Sequence, residues 1–186
     1  LDNLGKIVLE NNTDLNKEQF LNLKHENGTV QDYFNSMIAK IGENLILKDL
    51  LIKENQHSNF SFYIHNSYRK NIGKIISLLQ YSSGDHNDEI ENLSKNLCMH
   101  IAAMKPESID IEDLDITLVN NEKKIQRELI LNSGKPSNIV DKILEGKMKK
   151  YFSEVTLLNQ SYILDQDKTV RDIINQYSKI DRKYGL

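Results

Sequence analysis

The six residues Asn132-Ser133-Gly134-Lys135-Pro136-Ser137 constrain the fold more than any other stretch of the chain. Glycine takes the left-handed conformation that ends a helix, proline cannot extend one, and serine caps the next. Upstream, residues 114–132 place Leu118, Ile125 and Leu129 at helical spacing. Downstream, residues 138–152 do the same with Ile139, Ile143 and Met148. Two amphipathic helices parted by so short a break fold back as a helical hairpin, with arms of about 22 Å at roughly fifteen residues each. The stripe Ile139, Ile143, Met148 serves the hairpin's own packing, and becomes a dimer seam only if the hairpin projects from the body.

Before the hairpin, segment 5–9 reads as a short strand and residues 16–27 as a weak helix around Phe20, Leu21 and Leu23. Residues 30–42 form a stronger helix carrying Val30, Tyr33, Phe34, Met37, Ile38 and Ile41, closed by Gly42. The period then becomes extended: 44–52, 60–65 and 73–80 are strands between polar turns, which makes residues 5–80 an α+β unit. A turn-rich linker at 81–88 leads into a long amphipathic helix from Asp88 to about Lys105, stopped by Pro106. After the hairpin come a short extended excursion at 157–170 and a last small helix at 169–179. The expected organisation is an α+β fold with a two-part core, helices on small antiparallel sheets. Its parts are an N-terminal half at 1–82, a second half at 83–132, a hairpin and dimerisation region at 133–180 and a residual tail at 181–186.

Chemistry is constrained as much by what is missing. A net charge of −3 and only four arginines (Arg69, Arg127, Arg171, Arg182) argue against direct nucleic-acid binding. The single Cys98 excludes an internal disulfide and reads as a small buried apolar residue of a reducing compartment. No apolar run is long enough to cross a bilayer and no signal-peptide core opens the chain, so it reads as soluble and cytoplasmic, with no membrane partner. A start without Met leaves room for residues upstream of Leu1. The five histidines and Cys98 lack metal-ligand spacing, and Cys98 and His100 point to different helix faces. Lys135 follows Gly134 but precedes a proline, so this Gly-Lys pair belongs to a turn and not to a phosphate loop. No catalytic residue, metal or cofactor is expected, and the chain is not read as an enzyme.

Three strings, MHIAAMKP (99–106), the run 132–163 and IAKIGENLILKDLLI (38–52), closely resemble bacterial elongation factor Ts, with Lys168-Thr169-Val170 at the usual distance after the hairpin. The match runs in order over essentially the whole chain. It implies a guanine-nucleotide exchange factor for elongation factor Tu in translation elongation, in a bacterial cytoplasm or an organellar matrix. In the family a two-part core grips the GTPase and a coiled-coil arm serves dimerisation, which makes a homodimer through Ile139, Ile143 and Met148 the expectation here. The family's N-terminal ubiquitin-associated-like module has no counterpart in these residues. The closing strand is short or lost, since residues 178–186 lack its aromatic and β-branched pattern.

The resemblance also gives meaning to Asn11-Asn12-Thr13-Asp14-Leu15. By pattern alone this is a strand-to-helix turn with a helix cap and a staple residue. It aligns with the family's T-D-F-V-A motif, whose Asp and Phe press into the GTPase near its Mg²⁺ and disturb its coordination. Thr13 and Asp14 match, Leu15 stands where Phe is usual, and the Val-Ala pair is deleted before Asn16. The same resemblance puts His100, Ala103 and Lys105 against a neighbouring part of the GTPase, whereas the plain reading of His100 is a satisfied helix histidine. The alternative reading is a chain that binds Tu or dimerises with weak or no exchange activity, because its wedge is degraded.

Overall fold

The computed structural model describes residues 2–11, 15–53, 58–83 and 87–184. They form two compact units, one within Leu1–His57 and the other within Ser58–Leu186. Both mix helices with small antiparallel sheets, the α+β class expected of the sequence.

The N-terminal unit contains α1 (Asp2–Glu10), α2 (Lys17–Leu21), the two-residue strands β1 (Lys24–His25) and β2 (Gly28–Thr29), and α3 (Val30–Ile41). The expected strand at 5–9 is therefore a helix. Ile7 is 9 % exposed and Leu9 85 %. Leu4, Ile7 and Val8 meet the unit's core at helical spacing, and an isolated strand of this length has no partner for its backbone. The weak helix expected over 16–27 stops at Leu21, where the Asn22 amide donates back to the Glu18 and Phe20 carbonyls. A tight β turn comes next, with Glu26 at φ 49°. Capping boxes open both later helices, Asn16 with Gln19 and Thr29 with Asp32, and Gly42 closes α3 at φ 79°.

Phe20, Val30 and Ile7 form the buried centre of this unit, joined by Leu21, Leu23 and Phe34. Leu47 and Leu50 also pack here, and this corrects the expected strand at 44–52. Residues 43–53 carry no ladder; Leu47 and Leu50, three apart, are partly buried against the core while Ile46 and Leu51 are exposed, and the Lys17 ammonium donates to the Lys48 carbonyl at 3.3 Å.

The second unit opens with β3 (Asn59–Arg69) and β4 (Ile72–Tyr81), paired antiparallel with Phe62 opposite Leu78 and Ile64 opposite Ile76. The helix α4 (Asp88–Met104) packs against this sheet. It sits close because serines face it: Ser61 and Ser94 hydroxyls meet at 2.5 Å, and the Ser77 hydroxyl donates to the Cys98 carbonyl at 2.5 Å. Asn87 caps its start, and Lys105, in the left-handed region at φ 48°, ends it before Pro106.

The hairpin has the predicted form. Helices α5 (Ile116–Asn132) and α6 (Val140–Val155) are joined through Gly134 at φ 72° and Pro136. Ile130, Val140, Leu144 and Met148 lie between the helices, and Arg127 bridges to Asp141. Its root is stitched by backbone: the amides of Glu107, Leu157 and Leu158 donate to the carbonyls of Val155, Ser108 and Ile109, at 2.8, 2.9 and 3.0 Å. The chain closes with β5 (Ser161–Tyr162), β6 (Asp165–Thr169) and α7 (Val170–Tyr184). Leu93, Leu97, Leu157, Tyr162, Val170 and Ile173 form the main core of this unit. The last helix is longer than the expected 169–179.

Candidate functional site

Thr13 and Asp14 lie outside the described residues, but their frame is defined. On one side α1 ends with the Asn11 side chain donating to the Ile7 carbonyl at 2.7 Å. On the other, Leu15 is half-buried and Asn16 opens α2, its side chain accepting from the Gln19 amide at 2.9 Å. The expected link from a strand to a helix is thus a link between two helices, because the residues before it are helical. The cap of α2 is supplied by the Asn16 box.

The last turn of α4 divides its residues between two environments. Ala103, Met104 and Lys105 are exposed. His100 is 0 % exposed. One helical turn before Ala103 and Met104, its ring turns inward, stacks on Tyr162 at 5.9 Å between centroids and meets Gln160 at 2.9 Å. Its Nδ1 accepts from the Ile163 amide at 3.2 Å. The plain reading, a satisfied helix histidine, describes this geometry; Ala103 and Lys105 remain available to a partner.

Burial pushes the His100 imidazole below its ordinary value, against a smaller upward pull from the Gln160 bond. The unfolded chain therefore binds a proton below its unperturbed pKa of 6.5 that the folded chain resists. This stability is complete above that value and is lost as pH falls through the depressed folded value. Denaturant unfolding between about pH 7 and 5 should show stability declining in the wild type, with a shallower slope in His100→Phe. Equal slopes would contradict the assignment.

The arm residues separate in the same way. Met148 is 7 % exposed and belongs to the hairpin's interior. Ile143 is half-buried against that cluster, and Ile139 is 37 % exposed. The buried area of Met148 and Ile143 goes into packing within the hairpin, the first of the two roles the sequence left open for this stripe. A further apolar stripe on α5, Leu118, Ile125 and Leu129, is exposed. Its spacing of seven and four marks one helix face.

One surface had no place among the expected site residues. Phe60, Phe62 and Ile64 alternate along β3 opposite Gln80, Leu78 and Ile76. Phe62, Ile76 and Leu78 are exposed on the same face of the sheet. The alternation in FSFYIH carries this signal at period two.

Among the described residues no cluster of His, Cys, Asp and Glu could hold a metal ion. Among them, too, no helix is long and apolar enough to cross a membrane. What the geometry offers is surface: an exposed helix end, an apolar sheet face and a hairpin.

The family model described as Elongation factor TS matches residues 1–184. The chain is 33 % identical over 180 residues to a Clostridium acetobutylicum protein named Elongation factor Ts, covering 96 % of this chain and 57 % of that protein. A protein of the same name from Rickettsia bellii is 33 % identical over 205 residues, covering 96 % and 66 %. One from Aquifex aeolicus is 39 % identical over 148 residues, covering 80 % and 49 %. The chain thus spans about half to two-thirds of the length of these curated relatives.

Proposed function

The chain belongs to the elongation factor Ts family, and we propose that it acts as a guanine-nucleotide exchange factor for elongation factor Tu during translation elongation. The observation that carries this reading is the family match over residues 1–184.

The physics needs no catalytic side chain. GDP leaves Tu slowly because Mg²⁺ and phosphate-loop amides hold its phosphates through charge-assisted contacts. A protein that binds Tu better once those contacts are broken weakens nucleotide binding by the same factor. Its work is to be rigid in the shape that fits the emptied state. In this reading Thr13, Asp14 and Leu15 press on the Mg²⁺ side of the nucleotide site. Ala103 and Lys105 at the end of α4 meet a neighbouring part of the GTPase domain, with His100 behind them. Residues 1–82 and 83–132 act as the two core halves, and 133–180 as the arm through which two copies pair by Ile139 and its neighbours. The protein works in the cytoplasm and uses no cofactor.

A second reading rests on Leu15-Asn16, which stand where the family motif that this stretch resembles has Phe followed by Val-Ala. A smaller wedge on a shorter turn leaves a protein that binds Tu without opening its nucleotide site. Stopped-flow release of a fluorescent GDP from Tu, with and without this chain, separates the two. Acceleration that rises with chain concentration and saturates supports exchange. Binding in a parallel pull-down without acceleration selects the second reading.

A further inference from the structure

Gln160 lies where three elements end, and it is 0 % exposed. Its main chain is fixed first: the amide donates to the Thr156 carbonyl at 3.1 Å, and its carbonyl accepts from the Val170 amide at 3.0 Å. Its side chain then reaches inward to three further groups. The Oε1 faces His100 Nε2 at 2.9 Å, and the Nε2 donates to the Glu154 carbonyl at 2.7 Å and towards the Met104 carbonyl at 3.4 Å. Met104 is the last residue of α4, and Glu154 lies in the last turn of α6.

The hydrogen-bond logic of this cluster has one solution. The Ile163 amide only donates, so His100 Nδ1 is an acceptor and carries no proton. The proton of the neutral ring then sits on Nε2 and donates to Gln160 Oε1. Turning the Gln160 amide over would set its oxygen against two carbonyl oxygens and its NH₂ against the ring N–H. The orientation of the side chain is therefore fixed from both ends.

We infer that Gln160 is a positioning residue: by holding His100 in the Nε2–H tautomer and tying the last turn of α4 to the root of the α5–α6 hairpin, it sets the direction in which Ala103, Met104 and Lys105 face a protein partner. This rests on the exchange-factor reading for the identity of that partner. The packing gives the mechanism. At the exposed end of α4 the Lys105 amide donates to the Ile101 carbonyl at 2.9 Å. The Met104 carbonyl, left without a helical donor at the helix end, finds one in Gln160. The same amide group holds the Glu154 carbonyl, so the helix end and the hairpin root share one clamp.

The test uses the full chain and two variants, Gln160→Met and Gln160→Glu. Nitrogen NMR of the wild type at neutral pH should show His100 as the Nε2–H tautomer; an Nδ1–H tautomer or an imidazolium overturns the inference with no variant needed. In folded Gln160→Met the chain concentration for half-maximal acceleration of GDP release should rise about tenfold or more, with the maximal rate within about twofold. In Gln160→Glu the carboxylate opposes both carbonyls and draws His100 towards the imidazolium, and the same rise in half-saturation is expected. A purely structural role lowers the melting temperature and leaves half-saturation unchanged in the folded variants; that result overturns the inference. A wild-type chain that binds Tu without accelerating release moves the same comparison to the dissociation constant. A wild-type chain that does not bind Tu at all overturns the functional reading and the clamp's role with it, and is told apart from failure of the clamp alone by an intact Nε2–H signature.

Discussion

Replacing Phe20 with alanine removes about 3–5 kcal/mol from the N-terminal unit, the usual cost of deleting a buried aromatic, and unfolds it at room temperature. The magnitude comes from position. Phe20 is 1 % exposed and sits with Val30 and Ile7 at the centre of a small core. A core of this size supplies only about 3–5 kcal/mol in total, so one side chain is a large share of it. The side chains that converge there come from every helix of the unit, with Leu47 and Leu50 added from residues 43–53. Hydrogen exchange checks the prediction: amides of Val30–Ile41, protected in the wild type, should exchange freely in Phe20→Ala. Retained protection would show that another cluster holds the unit together. Exchange activity should fall with the fold, because α1 and α2 frame the segment that carries Asp14.

The second large effect concerns the wedge itself. The double substitution Asp14→Ala with Leu15→Ala should slow GDP release from Tu within the range of about 5–150-fold expected for a coupling of 1–3 kcal/mol. The reverse change is as informative. Leu15→Phe, with Val-Ala restored before Asn16, adds apolar area worth on the order of 1 kcal/mol at about 25 cal/mol per Å². Release should quicken by about fivefold if the restored turn aims the ring as the family motif does. Both variants keep the Asn16–Gln19 capping box, so α2 begins as before. Release unchanged in both variants would remove Asp14 and Leu15 from the mechanism.

Much of the fold was legible because the punctuation is chemically unambiguous. Gly42, Gly134 and Pro136 end or interrupt helices for reasons of backbone geometry that hold in any context. Lys105 before Pro106 stops α4 in the same way, with the left-handed cap taken by a residue that is not glycine. The strands β3 and β4 were readable from their alternation. The misreadings share one cause, the ambiguity of short apolar runs. Ile7-Val8-Leu9 has β-branched residues and reads as a strand, yet burial of Leu4, Ile7 and Val8 together decides for a helix. Residues 44–52 look extended and alternate imperfectly; among the described residues no strand pairs with them, and Leu47 and Leu50 pack against the core instead.

The candidate site was legible in identity more than in geometry. The string around His100 points to the family, but no local pattern reveals that the ring faces Gln160, sixty residues away. Burial of a histidine depends on an acceptor and a donor brought by the tertiary fold, and here they come from Gln160 and Ile163. Met148 illustrates the same limit: its helical position was readable, and its assignment to the hairpin interior needed the partner helix. Asp110 and Asp113 form the capping box of a short turn, while the link from Asp110 to Arg171, which holds that carboxyl below the usual carboxylate range, is long-range and silent in sequence.

Exchange without a catalytic side chain depends on one thermodynamic asymmetry, and calorimetric titration of the chain into elongation factor Tu measures it directly. Nucleotide-free Tu should bind more tightly than GDP-loaded Tu, and by the same factor by which the chain weakens GDP binding to Tu. Equal affinity for the two forms would contradict the account, however fast or slow the exchange observed.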